Sequence, residues 1–200
     1  MRQVPASRYL LFFTLCLSAV SWDLYSKHII FTQLGFPGRV GPWVKQFFGG
    51  WVTFRYYTSF NHGALWGIGQ GQTWLFAGLS VVAVVGVLYW LFVVGVARSW
   101  WLTVSLALIM GGTLGNLWDR LALHGCVVKG EVQHAVRDFL LFTFGGWPWP
   151  VFNFADVFLV TGAMMLMLQS MQPEAGSAIS SEPETANENE QLPPTATKIA

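Results

Sequence analysis

Charge is scarce in this sequence: of 200 residues only 10% are Asp, Glu, Lys or Arg, against roughly a quarter in an ordinary soluble domain. With 54% apolar side chains, that scarcity excludes a water-soluble globule. Acids are scarcer still in the body of the chain. Glu174, Glu182, Glu184, Glu188 and Glu190 crowd into the C-terminal stretch, leaving Asp23, Asp119, Glu131, Asp138 and Asp156 before it. A net charge of +1 provides no basic stripe for a phosphate backbone, so nucleic-acid binding is set aside. The two cysteines, Cys16 in an apolar run and Cys126 in a polar loop, lack metal-ligand spacing and read as isolated thiols.

What is abundant is long apolar runs. A bilayer core of about 30 Å needs roughly 20 apolar residues in a helix. Four runs meet that length, at about 9–31, 74–97, 100–120 and 151–171. Their Leu/Val/Ala composition, without alternation of period two, predicts helices rather than barrel strands. The first run also has features of a cleavable secretory signal, since Arg2 and Arg8 precede a short apolar stretch ending in Ser18-Ala19-Val20-Ser21. Asp23 and Lys27, one helical turn apart, continue the helix past that stretch and favour a retained span. The expected fold is an all-α membrane protein of four transmembrane helices.

Between the first two runs lies a Gly- and Pro-rich connection that ends in Trp51-Val-Thr-Phe-Arg-Tyr-Tyr-Thr-Ser-Phe60, β-branched and aromatic as a strand requires. It predicts a small extracytoplasmic β-sheet between helices 1 and 2, lying on the membrane surface. The turn near Arg98 is short and makes runs two and three an antiparallel hairpin. Leu121–Pro150 forms a second long connection on the same side as the first. Residues 1–172 are expected to be one membrane-embedded domain, with 173–200 a disordered acidic tail, too polar to order itself. Counting Lys and Arg in the connections leaves orientation open, because Arg39, Lys45, Arg55, Lys129 and Arg137 oppose Arg2, Arg8 and Arg98.

An ionised carboxylate near a bilayer centre costs on the order of 2.5–3.5 kcal/mol, so each membrane Asp calls for a polar interior or a chemical role. Asn116 stands three residues before Asp119 and four before Arg120, which puts amide, carboxylate and guanidinium on one helix face. Asn153 and Asp156 repeat the amide-to-carboxylate step on the fourth run, and Asp23 with Lys27 forms an ion pair on the first. Gly111, Gly115 and Gly162 read as close-packing positions. Asp156 has no base within a turn and needs a partner. Asp138, ahead of the apolar Phe139–Phe142 run, lies in the segment that leads back to Asp156. Two carboxylates in one site share a proton and titrate as a unit, supplying a general base and a general acid together.

Two other function classes compete with hydrolysis by an Asp pair. A small membrane transporter or channel would use buried Asp residues as an ion path, although four helices without an internal repeat suit that less well. A metallohydrolase would need ligands from His28, His62, His124 and His134, whose spacing is irregular and lacks the His-x-x-x-His step. No motif calls for a bound cofactor or metal.

Five motifs then fall in register with the four runs: Asp23-Leu-Tyr-Ser-Lys27, Asn61-His-Gly-Ala-Leu-Trp-Gly67, Gly111-Gly-Thr-Leu-Gly-Asn-Leu-Trp-Asp-Arg120, Val136-Arg-Asp-Phe139 and Phe152-Asn-Phe-Ala-Asp156. In this order and setting, over residues 9–171, the chain resembles the lipoprotein signal peptidases, also called signal peptidase II. The resemblance implies an aspartyl endopeptidase of the bacterial cytoplasmic (inner) membrane, multi-pass, with cytoplasmic termini and an active site near the extracytoplasmic face. It implies as substrate a prolipoprotein, cut before a diacylglyceryl-modified cysteine, and a monomer working in the lipid bilayer. Carried over by motif, Asp138 and Asp156 are the catalytic pair. Asn61, Gly63, Asn116, Asp119, Arg120 and Asn153 bind substrate or support the site, with Asp23 and Lys27 nearby. Two departures stand out. Lys129-Gly-Glu-Val-Gln-His134 reads as an insertion before Asp138, which leaves Asp119 as the replacement partner for Asp156. Leu65-Trp66 stand where the family usually has a small residue and a Phe.

Overall fold

The structure, a computed structural model, describes residues 4–63 and 69–171. The Leu65-Trp66 position and the acidic tail lie outside the described residues. Helices occupy all four apolar runs: α1 (Ala6–Leu34), α2 (Thr73–Leu88), α3 (Trp100–Arg120) and α4 (Phe154–Ser170). α2 continues into a π-helical turn, Tyr89–Val94, ended by left-handed Gly95. Three helices, Ala6–Leu34, Thr73–Val94 and Trp100–Arg120, are long and apolar enough to cross a membrane; α4 is a shorter apolar helix.

α3 is the centre of the bundle. Over half of its most apolar stretch, 56%, is buried, against 11% for α2, whose Leu75, Leu79, Val82 and Val85 are exposed along the outside. Small residues set how closely α3 can be approached. Gly111 lies against Ala19 and Cys16 of α1, Gly112 against the Ala155 carbonyl of α4, and Gly115 against the Asp23 carboxylate. Gly162 of α4 meets the Ser105 carbonyl in turn.

The sheet is larger than the first connection alone provides. Strands β1 (Val40–Phe47) and β2 (Val52–Asn61) form the expected hairpin. β3 (Val127–Val128) and β4 (Glu131–Val132) make a separate two-stranded piece, and β5 (Val136–Phe144) and β6 (Trp147–Pro148) complete a four-stranded antiparallel sheet in the order β1-β2-β5-β6. The sheet is therefore not confined to the segment between α1 and α2: the long α3–α4 connection supplies half its strands. The physical reason is that β2 would otherwise expose an unpaired edge, while Val136–Phe144 has the β-branched and aromatic composition to cover it. The residues read as an insertion fold into the β3–β4 hairpin, whose Lys129 and Gly130 both adopt positive φ (52° and 85°), as a two-residue turn of this hand requires. That hairpin forms its own sheet, and Asp138 stays paired with Ser59 in the β2–β5 ladder.

The sheet docks on the end of the bundle. Ile30 and Phe31 of α1 pack with Phe139 and Leu140 of β5, flanked by Phe54, Tyr56, Phe60, Phe152 and Phe154.

Candidate active site

Three helix ends and one strand converge beneath the sheet. α4 starts with a reciprocal cap in which the Asn153 side chain accepts from the Asp156 amide at 3.2 Å and the Asp156 carboxylate accepts from the Asn153 amide at 3.1 Å. A cap of this kind satisfies amides that the first helical turn leaves open, and it fixes the Asp156 side chain against the helix start. The second Asp156 oxygen accepts from Asn116 Nδ2 at 2.9 Å. Asn116 Oδ1 in turn accepts from Lys27 Nζ at 3.1 Å and from Asn153 Nδ2 at 3.2 Å.

Asn153 Nδ2 also donates to Asp138 Oδ1 at 2.6 Å. One fully buried asparagine thus holds both carboxylates, Asp138 through its side chain and Asp156 through its backbone. β5 delivers Asp138 by its register with β2: Ser59 pairs with Asp138 and Asn61 with Val136, so Asn61 and Asp138 are diagonal neighbours on one sheet face. The Asn61 side chain favours the charged form of Asp138. Burial, and next the charge of Asp156, push the Asp138 carboxyl well above the usual carboxylate range, with Asn153, Lys27 and Asn61 pulling it partly back.

Arg120 closes the far side. Its Nη2 donates to the Gly63 carbonyl at 3.3 Å, its guanidinium lies 5.5 Å from the Phe76 ring centroid, and it interacts electrostatically with Asp156 and Asp138. The Gly63 amide donates to Asn61 Oδ1 at 3.0 Å, which ties the end of β2 to the same corner. A cavity of about 310 Å³ opens on Asp156 between Asn61, Thr113, Asn116, Arg120 and Val160. A second, of about 230 Å³, opens on Asp138 beside Ser59 and Gln70, and the two share Asn61, Pro150 and Val151 as walls.

Below this lies a buried ion network. Lys27 Nζ sits 2.7 Å from Asp23 and 3.0 Å from Asp119, all three side chains fully buried. Asp23 also accepts the Ala155 amide at 2.9 Å, anchoring the first turn of α4 to α1. Asp119 does not pair with its neighbour Arg120 and is not free to serve Asp156. Its Oδ1 accepts from Arg137 Nε and Nη2 at 3.0 and 2.8 Å, and its Oδ2 from the Arg137 amide at 3.0 Å and from Lys27. With both oxygens doubly occupied, Asp119 has no lone pair to offer a water or a substrate. Arg137 is the residue that sequence reasoning passed over. The available signal was a base directly beside an Asp in a chain nearly devoid of charge.

The histidines are dispersed. His124 Nδ1 accepts from the Cys126 amide at 2.9 Å and His134 lies 3.2 Å from the Arg120 carbonyl. Among the described residues no group of three or more His, Cys, Asp or Glu side chains is arranged to hold a metal ion.

The family model described as signal peptidase (SPase) II matches residues 15–172. A lipoprotein signal peptidase of Rhodopirellula baltica is 42% identical over 83% of this chain and 74% of its own length. One from Dichelobacter nodosus is 31% identical over 80% of this chain and 93% of its own. Two solved structures of bacterial membrane enzymes share the fold. They have TM-scores of 0.62 and 0.63 at 24% and 23% identity, each covering 80% of this chain and 86% and 92% of theirs.

Proposed function

The chain belongs to the signal peptidase II family, and from that premise we propose that Asp138 and Asp156 together cut the signal peptide from a prolipoprotein ahead of its diacylglyceryl-modified cysteine. The protein is an aspartic-type peptidase of lipoprotein processing. The observation that carries the assignment of its catalytic residues is the Asn153 bridge, which ties the two carboxyls into one hydrogen-bonded unit with cavities on both sides.

In the resting dyad Asp138 holds the shared proton, because burial favours its neutral form. Asp156, which faces the cavity from the first turn of α4, is the base. Asp156 takes a proton from water as the water oxygen bonds to the scissile carbonyl carbon, and Asp138 gives its proton to the carbonyl oxygen. The tetrahedral species collapses with cleavage of the C–N bond. Asp156 returns its proton to the departing nitrogen and Asp138 regains one from the hydroxyl. A signal peptide carboxylic acid, which passes its remaining proton to the solvent or the new amine, and a lipidated cysteine with a free amino group leave, and the dyad is reset. Arg120 offsets the net charge of the pair, and Asn116 orients the Asp156 carboxylate through its amide.

The membrane setting follows the same logic. α4, 17 residues and about 26 Å long at 1.5 Å per residue, completes a set of four spans with α1, α2 and α3. The cavity beside Asp156 reaches Val160 of α4 and Ser80 of α2, so a signal helix enters it sideways from the lipid. Exposed Trp43, Phe47, Trp51 and Trp147 support a sheet resting at the outer interface of the bacterial cytoplasmic membrane. Both carboxylates come from one chain, which supports a monomer.

Asp138→Asn and Asp156→Asn, each purified as full-length protein, are expected to lower cleavage of a lipidated reporter peptide by roughly 10²–10⁴-fold while the thermal unfolding midpoint does not fall. Wild-type turnover in either variant overturns the dyad.

A further inference from the structure

We propose that Arg137 is a positioning residue for the reaction: by gripping Asp119 it rivets the start of β5 to the end of α3 and so sets the Asp138 carboxyl against Asp156. The inference rests on Asp138 being a member of the dyad.

Three of the hydrogen bonds that Asp119 accepts come from this single residue, through its amide, Nε and Nη2, at 3.0, 3.0 and 2.8 Å. The grip therefore fixes both the backbone and the side chain of the residue that precedes Asp138. Alternation along a strand sends neighbours to opposite faces. Arg137, paired with Phe60 in the ladder, turns toward α1 and α3, its guanidinium 5.9 Å from the Phe31 ring centroid. Asp138 turns the other way, to Asn153 and Asn61. One face of β5 is anchored and the other carries the carboxyl.

The anchor point is on the right element. Asp119 is three residues from Asn116, which holds Asp156, so one turn of α3 carries the fixed points of both dyad members. Asn153 is the direct brace between the carboxyls and the Arg137–Asp119 grip is the indirect one. Beside it, the entry to β5 is located by His134 against the Arg120 carbonyl and by the β2 ladder, which is irregular between Tyr56 and Ser59, just before the Asp138 pairing. The charge balance also requires the arginine. Asp23 and Asp119 are matched by Lys27 and Arg137, so the network is neutral and adds no net charge beneath the dyad.

The test compares Arg137→Met and Arg137→Lys with wild type and Asp138→Asn, all full-length in detergent, on the same lipidated reporter peptide. Rates are taken per folded molecule, counted by size exclusion and thermal unfolding. A displacement of about 1 Å at the reacting group costs up to about 10²-fold. Arg137→Met is therefore expected to lower kcat by roughly 10- to 100-fold with KM within about twofold. Arg137→Lys, which keeps the charge and loses the fork, should fall between it and wild type. A residue with only a structural role would lower the amount of folded enzyme and leave kcat per folded molecule alone. Wild-type kcat in Arg137→Met, a change confined to KM, or an Arg137→Lys enzyme no better than Arg137→Met overturns the proposal. Should Arg137→Met fail to accumulate, the same split in Arg137→Lys decides: a lowered kcat at constant KM supports the rivet and an unchanged kcat sinks it. Full turnover by Asp138→Asn refutes the dyad itself, whereas a dead Asp138→Asn beside a normal Arg137 variant refutes the rivet alone.

Discussion

Replacing Asn153 by an aspartate changes one amide nitrogen into an oxygen, and the structure separates what that swap keeps from what it destroys. Asn153 caps α4 through Oδ1, and Asp is an equally good cap, so the helix start should lose close to nothing. The Nδ2 contacts are another matter. At 2.6 Å from Asp138 Oδ1 and 3.2 Å from Asn116 Oδ1, a donor becomes an acceptor facing two acceptors. A hydrogen bond to a charged group contributes about 1.5–3 kcal/mol. Lost from the transition state at about 1.4 kcal/mol per decade, that amounts to roughly 10- to 150-fold in kcat. Asn153→Ala, measured beside it, loses the same donor and also the cap, about 1 kcal/mol of helix stability. The assay is cleavage of the lipidated reporter with unfolding followed in the same detergent. The expected pattern is that both variants are slow and both melt earlier, the Asp variant through its buried clash of acceptors and the Ala variant through the lost cap. An Asn153→Asp enzyme within about threefold of wild type would refute the bridging role of the amide.

Asp138→Asn should raise the unfolding midpoint more at pH 8 than at pH 5. The folded state binds the Asp138 proton more tightly than the unfolded chain, so the stability it contributes is full below the ordinary carboxylate range and is lost as pH rises through the raised value. A midpoint difference that does not move with pH would refute this, and intrinsic fluorescence on heating reads it directly. Gly112→Ala sets a methyl against the Ala155 carbonyl and 2.8 Å from Leu159 Cγ, so it should cost about 1–3 kcal/mol and slow cleavage by spreading α3 from α4. Gly78→Ala in α2 meets nothing within 4 Å and should be neutral or stabilise by about 0.5–1 kcal/mol on the same denaturation assay.

The bundle was legible because bilayer insertion is a local property: about 20 consecutive apolar side chains need no distant partner to be read as a helix. The polar faces were legible for the same reason. Asp23 and Lys27, Asn116 and Asp119, and Asn153 and Asp156 are three or four apart, a spacing helical geometry converts directly into contact or a shared face. The α3–α4 connection was harder to read. Val136–Phe144 looks like a strand only once β2, distant in the chain, offers an edge to pair with.

Which base Asp119 meets is beyond any local rule. Asp119 stands beside Arg120 in the chain, yet consecutive helical residues point apart, and its partners come from 18 residues downstream and from another helix. Asp23 reaches the Ala155 amide across 132 residues. Composition and helical periodicity alone determined that this chain carries apolar spans with a few acids kept for a purpose. The folded structure decided how those acids divide. Asp119 is fully bonded into a neutral network, and the buried Asp138 is joined through Asn153 to Asp156, because burial and charge balance are set by neighbours in space.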